Sequence, residues 1–325
     1  MAVSEQRERE GEAPPPLAEE GATRAPRMAH KPVLVQKILE LLAVKPDGVY
    51  VDGTLGGAGH ALAVLEKAGP SGFLLGLDQD GEILKVAREN LTPFENRVRI
   101  VQANFSDITE VLKQERLEKV DGIYLDLGVS SLQLDRGERG FSFSKEGPID
   151  MRMDTRQVQT ALDKVRRSNE FELTRVLKEY GEERHAAKIA RGLLEKAKRG
   201  ELRSTLDMAE IALNAYPPKT RHKGIHPATR TFQALRIWVN EELECLKKFL
   251  GDTPPFLNIN GRLCVISYHS LEDRIVKHAF RSLCKKQSGF KLLTKKPIRP
   301  SEEEIQENPR ARSAKLRCLE KLSTC

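Results

Sequence analysis

The chain contains no apolar run of the ~18 residues that a membrane-spanning helix requires, and its N-terminus lacks the apolar stretch of a secretory signal. A mitochondrial transit peptide is poor in acids, whereas Glu5, Glu8, Glu10, Glu12, Glu19 and Glu20 crowd this N-terminus. Those absences leave the cytoplasm as the expected location and exclude a membrane as the expected partner. Paired cysteines are missing as well. Cys245, Cys264, Cys284, Cys318 and Cys325 are odd in number and never spaced as C-x-x-C, which argues against a disulfide framework and a zinc site and leaves reduced thiols.

Of the 325 residues, 39% are hydrophobic and 31% charged, enough for one large core and a smaller satellite domain. A formal charge of +7 suits a polyanionic partner such as nucleic acid, and equally suits a protein whose basic faces are simply solvated. Residues 1–29 are rich in Glu, Arg, Ala and Pro, with Pro14, Pro15 and Pro16 in a row, and offer almost nothing to bury, so a disordered tail is expected there. From His30 onward the pattern is that of a folded chain. Val33 to Ala43 reads as an amphipathic helix and Gly48 to Asp52 as a short buried strand.

Strand-like runs at 73–78, 98–104 and 120–127 then alternate with helical runs near 57–68, 80–91 and 106–115. Such alternation predicts a parallel sheet wrapped by helices. The runs at 73–77 and 122–125 are almost continuously apolar, as expected of strands covered on both faces. Residues 141–221 break the pattern with several short helices: Asn169 with Glu172, and Ser204 with Asp207, look like capping boxes, and Gly181 and Gly200 stand at C-terminal cap positions. A long helix is expected from Pro227 to Gly251, burying Phe232, Leu235, Trp238, Val239, Leu243 and Leu246, followed by a strand from Arg262 to Tyr268. Runs near 290–296 and 313–321 could add a final antiparallel pair at the sheet edge.

The segment Val51-Asp52-Gly53-Thr54-Leu55-Gly56-Gly57-Ala58-Gly59-His60 joins the first of these strands to its helix, the place where such sheets bind ligands. Glycines there let the chain turn sharply and let a cofactor lie against bare backbone at a helix N-terminus. Asp78, at the carboxyl end of the second strand, can accept hydrogen bonds from both ribose hydroxyls of a nucleoside. Together these point to an adenosine-containing cofactor, without separating NAD from S-adenosylmethionine. The plainer alternative is an ordinary strand-to-helix turn, with Asp78 capping the next helix.

At the end of the fourth strand stand Leu125-Asp126-Leu127-Gly128-Val129-Ser130-Ser131-Leu132-Gln133-Leu134-Asp135 and Glu138-Arg139-Gly140-Phe141-Ser142. With Gly147-Pro148-Ile149-Asp150-Met151-Arg152-Met153-Asp154, Tyr180-Gly181-Glu182-Glu183, Thr231-Phe232-Gln233-Ala234-Leu235-Arg236, Ser267-Tyr268-His269-Ser270-Leu271-Glu272-Asp273-Arg274 and Asn308-Pro309-Arg310-Ala311-Arg312-Ser313, in that order, the chain resembles the RsmH (MraW) family of ribosomal RNA small-subunit methyltransferases H. The resemblance runs from about His30 to Leu316. It implies an α/β fold, a class I S-adenosylmethionine-dependent methyltransferase (Rossmann-like) sheet with a helical insertion domain. It also implies methyl transfer from S-adenosylmethionine to N4 of a cytidine in the decoding centre of small-subunit ribosomal RNA, with the RNA or the assembled small subunit as partner. By the same resemblance the cofactor contacts fall on Ala58, Gly59, His60, Asp78, Phe105, Asp126 and Gln133. Ala58 stands where many members of the family carry glycine, which a backbone contact survives if the dihedrals there allow a β-carbon.

Residue chemistry supports several of these roles. Phe105 follows the third strand and can pack on adenine, although an aromatic there could equally be core. The sulfonium is already a strong electrophile, so the enzyme must chiefly hold the amine in line with the methyl group, and no metal is expected. The cytosine N4 lone pair is delocalised into the ring, so an acceptor for its N–H groups helps redirect it. Asp126 is the candidate acceptor and proton acceptor, with Ser130 and Ser131 shaping the loop that holds the base. Asp126 could instead bind the cofactor's amino group. Methylation at C5 would need a thiol nucleophile, and no cysteine lies near Asp126 in sequence.

His269 lies just past the strand that ends at Tyr268, on the same edge, and could meet RNA or the base, or Ser270 to Asp273 could simply cap a helix. Lys285, Lys286, Lys295, Lys296, Arg310, Arg312, Lys315, Arg317, Arg221, His222 and Lys223 are candidate phosphate contacts. The expected organisation is a methyltransferase domain at 30–140 and 222–325, with a helical insertion at 141–221 as an RNA-recognition domain. Two rivals remain: a DNA amino-methyltransferase, which would lack a separate target-recognition domain, and an assembly factor that binds cofactor without turnover.

Overall fold

The computed structural model describes residues 32–221, 224–286 and 289–323. The tail expected at 1–29, together with His222 and Lys223, lies outside the described residues. Strands β1 (Val49–Asp52), β2 (Phe73–Asp78), β3 (Val98–Gln102), β4 (Val120–Asp126), β5 (Leu257–Ser267), β6 (Phe290–Leu292) and β7 (Lys315–Lys321) form one sheet in the order β3-β2-β1-β4-β5-β7-β6. The first five pair in parallel, and β7 runs antiparallel between β5 and β6. The expected Rossmann-like sheet and its antiparallel edge are therefore present. Strand order reverses between β1 and β4, which opens a crevice at their carboxyl ends.

Helices α1 (Val35–Leu42), α2 (Gly59–Lys67), α3 (Gly81–Asn90), α4 (Ile108–Gln114) and α5 (Ser131–Asp135) accompany the first four strands. Next come α6 (Ala161–Arg167), α7 (Glu170–Gly181), α8 (Ala186–Lys198), α9 (Thr205–Ala215) and α10 (Ala228–Asn240), then α11 (Glu242–Asp252), α12 (Ser270–Lys286) and α13 (Glu302–Glu307). Strand alternation sorts the core into two layers. On β4, Tyr124 packs with α1 and α2 on one face, whereas Ile123 and Leu125 pack with α4, α11 and α12 on the other. A third apolar cluster holds α6 to α10, and its members reach Val239, so α10 packs with the helices of 141–221. No described helix is long and apolar enough to cross a membrane.

Several local expectations are corrected. The long helix from Pro227 is two helices, because Glu241 adopts a left-handed conformation at φ 51°. Asn240 explains the break: its amide donates to Met151 O at 2.8 Å and accepts from Met153 N at 2.7 Å, pinning the end of α10 to the loop after the sheet. Gly251 lies within α11 and does not end it; Pro254 follows two residues after the helix and cannot continue it. Ser204 and Asp207 form a full capping box, but Asn169 only accepts from Glu172 N. Gly181 is the last residue of α7, and the left-handed cap is Glu182; glycine is required at 181 because a β-carbon would stand 2.6 Å from Arg230 O of α10.

Gly140 makes a sharper demand, with φ 75° and a hypothetical β-carbon 2.3 Å from Pro148 O. This loop is where the chain leaves the sheet for the helices. We expect Gly140→Ala to lower stability by about 2–4 kcal/mol, from left-handed strain plus overpacking, read as a shifted urea midpoint. An unchanged midpoint would show that the loop yields.

Candidate active site

A cavity of about 450 Å³ opens at the carboxyl ends of β1, β2 and β4. One wall is the loop from Gly53 to His60. Gly56 N donates to Asp78 Oδ2 at 2.9 Å, and Asp80 N donates to Asp78 Oδ1 at 2.9 Å. These bonds fix the Asp78 carboxylate at the tip of β2, while burial pushes its pKa up to about 6. The alternative that Asp78 caps the next helix fails, because the α3 cap is Asp80, whose Oδ1 accepts from Glu82 N at 3.0 Å.

Of the residues expected to bind cofactor, Gly59, His60, Asp78, Phe105, Asp126 and Gln133 line this cavity. Ala58 is buried beneath it in a left-handed conformation (φ 69°), its N–H donating to Leu55 O at 2.8 Å, so Gly56, Gly57 and Gly59 present the backbone wall instead. Phe105 meets the fully buried Phe249 of α11 edge to face, with centroids 5.6 Å apart, so its ring is both core and wall. Gln133 is held by its neighbours: its Nε2 donates to Asp80 Oδ2 at 2.8 Å and its Oε1 accepts from Ser130 N at 3.0 Å. Ser130 Oγ in turn accepts from Gln133 N, a capping box that starts α5. Ser131 begins that helix and lines the cavity.

Asp126 ends β4 and lines the cavity. Its backbone N–H donates to Thr54 Oγ1 at 2.7 Å, tying β4 to the glycine loop. Tyr268 Oη donates to Asp126 Oδ1 at 2.8 Å, and His60 Nδ1 lies 3.7 Å from Oδ2. Burial raises the carboxyl pKa, and the Tyr268 hydroxyl, together with His60 when its ring is protonated, opposes that rise. Asp52, at the end of β1, is buried beside this group, and burial lifts its pKa to about 7.

Sequence reasoning missed several residues here. Asp52, Asp80, Arg139, Arg236, Asn240, Glu242 and Tyr268 were not singled out, although Arg139, Arg236 and Tyr268 sit in the unusual strings quoted above and Asp52 in the glycine-loop segment. Arg236 binds Glu242 with two hydrogen bonds of 2.8 Å at the break between α10 and α11. Cys245 also lines the cavity, so sequence distance from Asp126 was no guide to its position. Burial raises its thiol pKa.

His269 is not among the residues that line the cavity. Its ring caps α12, Nδ1 accepting from Glu272 N at 3.4 Å, with Nε2 3.1 Å from Glu272 Oε1, while Glu272 Oε2 accepts from the backbone N–H groups of Tyr268 and His269. The cap is thus one residue earlier than Ser270, whose hydroxyl donates to Glu182. Glu242, His269 and Glu272 could offer metal ligands within 4.8 Å of one another, but Arg236 already holds both Glu242 oxygens. Among the candidate phosphate contacts, Arg317 is buried against Asp273 at 2.7 Å and Arg310 binds Asp135 at 2.9 Å. Lys285, Lys295, Lys296 and Arg312 are exposed, and the side chain of Lys286 lies outside the described residues.

Residues 27–322 match the model of the MraW methylase family. The chain is 46% identical over 307 residues to the ribosomal RNA small subunit methyltransferase H of Syntrophus aciditrophicus, covering 90% of this chain and 98% of that protein. It is 48% identical over 308 residues to the protein of the same name from Geobacter sulfurreducens, covering 90% and 99%. The Clostridioides difficile protein of that name is 45% identical over 307 residues, covering 90% and 99%.

Proposed function

This chain belongs to the MraW methylase family, and from that premise we propose that it transfers the methyl group of S-adenosylmethionine to N4 of a specific cytidine in the decoding centre of small-subunit ribosomal RNA. The observation that carries this reading is one cavity lined both by a nucleoside-type wall and by Asp126, whose carboxylate is held by the Tyr268 hydroxyl. The cavity fits the cofactor: Gly57 has no atom within 4 Å of where a β-carbon would stand, so a ligand can approach bare backbone, and Asp78 is fixed where ribose hydroxyls are accepted. The sulfonium supplies the methyl group in a form that needs no nucleophile from the protein. Asp126 accepts from the target N4–H and orients its lone pair, and a base buried in folded RNA must be extruded to reach it. The helices of 141–221, with exposed Arg166 and Arg167 on α6, serve as the RNA-recognition side.

Labelled methyl transfer to small ribosomal subunits lacking their own modification, followed by nucleoside mass spectrometry, tests the assignment. N4-methylcytidine at one site is expected. Cofactor binding without transfer to subunits or naked ribosomal RNA overturns it in favour of a non-catalytic assembly factor, and transfer to DNA favours the amino-methyltransferase. Cys245 in the wall raises C5 methylation as a second reading. We expect Cys245→Ser to keep the N4 product, whereas a thiol-dependent reaction would vanish.

Asp78 sets a pH dependence. Only its ionised form accepts from both ribose hydroxyls, and its pKa in the free protein is about 6. Cofactor affinity should therefore rise with pH up to about 6 and then level, since below that value binding must first expel a proton. Isothermal titration from pH 5 to 8 checks this, and Asp78→Asn should bind weakly and without the slope.

A further inference from the structure

His60 Nε2 lies 2.8 Å from Val33 O, and a carbonyl oxygen only accepts. The ring hydrogen of the neutral imidazole is therefore on Nε2, and the lone pair is on Nδ1. Nδ1 lies 3.7 Å from Asp126 Oδ2, while Asp126 Oδ1 is already taken by the Tyr268 hydroxyl at 2.8 Å. Two acceptors thus lie across a gap from each other, about 0.8 Å wider than a hydrogen bond of ~2.9 Å, inside the cavity wall. Val33 holds one end of this row and Tyr268 the other. Neither Nδ1 nor Oδ2 has a hydrogen to give the other, so the pair can take up one proton.

We propose that His60 and Asp126 form a receptacle for the proton that the target amine must lose, with Val33 and Tyr268 as the groups that align it. The proposal rests on the amine-methylation reading above and names the proton's destination. In the transfer one N–C bond forms, the methyl's bond to sulfur breaks with its electron pair left on sulfur, and one N4–H bond breaks. The proton passes to Asp126 Oδ2 and is shared with Nδ1 of His60. His60 acts through Asp126 and is a positioning residue; Asp126 touches the amine. The other titratable groups facing the pair are Asp52 from β1, Tyr124 from β4, whose ring centroid is 6.1 Å from that of His60, and Glu272 from α12.

The first test needs no substrate. Nitrogen NMR of the free protein at pH 8 should show His60 with a protonated Nε2 and a bare Nδ1. A hydrogen on Nδ1 overturns the proposal, because the ring would then already donate to Asp126. The second test is His60→Gln, for which we expect turnover at saturating cofactor to fall roughly 10–100-fold, whatever the change in cofactor affinity. Loss of affinity with unchanged turnover would make His60 a cofactor contact only. In Tyr268→Phe the acidic limb of the rate profile should move to higher pH, since the lost donor had favoured the carboxylate; an unmoved limb removes Tyr268 from the device. A wild-type protein that transfers no methyl group sinks the proposed function itself, while transfer undiminished in His60→Gln sinks only this inference.

Discussion

Asp126→Asn should fold normally, retain cofactor binding within about tenfold and methylate its RNA on the order of 10²–10⁴ times more slowly than the parent. The amide is isosteric with the carboxylate, so its oxygen can still accept from Tyr268 Oη, 2.8 Å from Oδ1 in the parent. Its nitrogen would face His60 Nδ1 and donate to it, mimicking the receptacle already filled. The acceptor for the N4 proton is then gone, while the fold around it stands. Single-turnover transfer measured beside calorimetric cofactor binding separates the two effects. Retained turnover would move the acceptor role elsewhere, and a collapse of cofactor binding would make Asp126 chiefly a cofactor ligand.

Arg139→Met should cost about 3–5 kcal/mol of stability, because it strands a buried carboxylate. Asp80 is fully buried, and its Oδ2 meets Arg139 Nη1 at 2.7 Å and Gln133 Nε2 at 2.8 Å. Arg139 Nη2 also donates to the carbonyls of Arg152 and Met153, at 2.9 and 3.2 Å, so one guanidinium ties the end of β2 to the loop that leads into the helices. Asp80→Asn in the same background should recover part of the loss, since it removes the uncompensated charge. Urea unfolding of the two single variants and the double variant measures that coupling. A single-variant loss under about 1 kcal/mol, the range of exposed pairs, would mean that water reaches Asp80.

The two sites differ in how far the sequence announced them. Asp78 and Asp126 were legible because each ends a run of apolar strand residues, and in a parallel sheet every such end faces one crevice. The glycines of 53–59 were legible because few other residues make that turn. By contrast, the expected helix from Pro227 to Gly251 has an unbroken apolar stripe, and nothing local marks the turn at Glu241. The break depends on Asn240 reaching Met151 and Met153, which are 89 and 87 residues away. His269 was ambiguous for a similar reason, since a capping residue and a ligand-facing residue occupy the same place at a strand end.

By itself the sequence determined the alternation of strands and helices, the ligand edge, the helical interruption and the family, because periodicity, turn chemistry and long unusual strings are local properties. Only the tertiary structure decided what each site residue spends its atoms on. Tyr268 reaches Asp126 across 142 residues, and the Arg139 guanidinium reaches Asp80 although their elements share no local signal. Cys245 arrives at the cavity wall only because α11 packs on the sheet beside Phe105. Such pairings follow from strand order and from how the helices dock, which set distances between side chains that periodicity only assigns to a face.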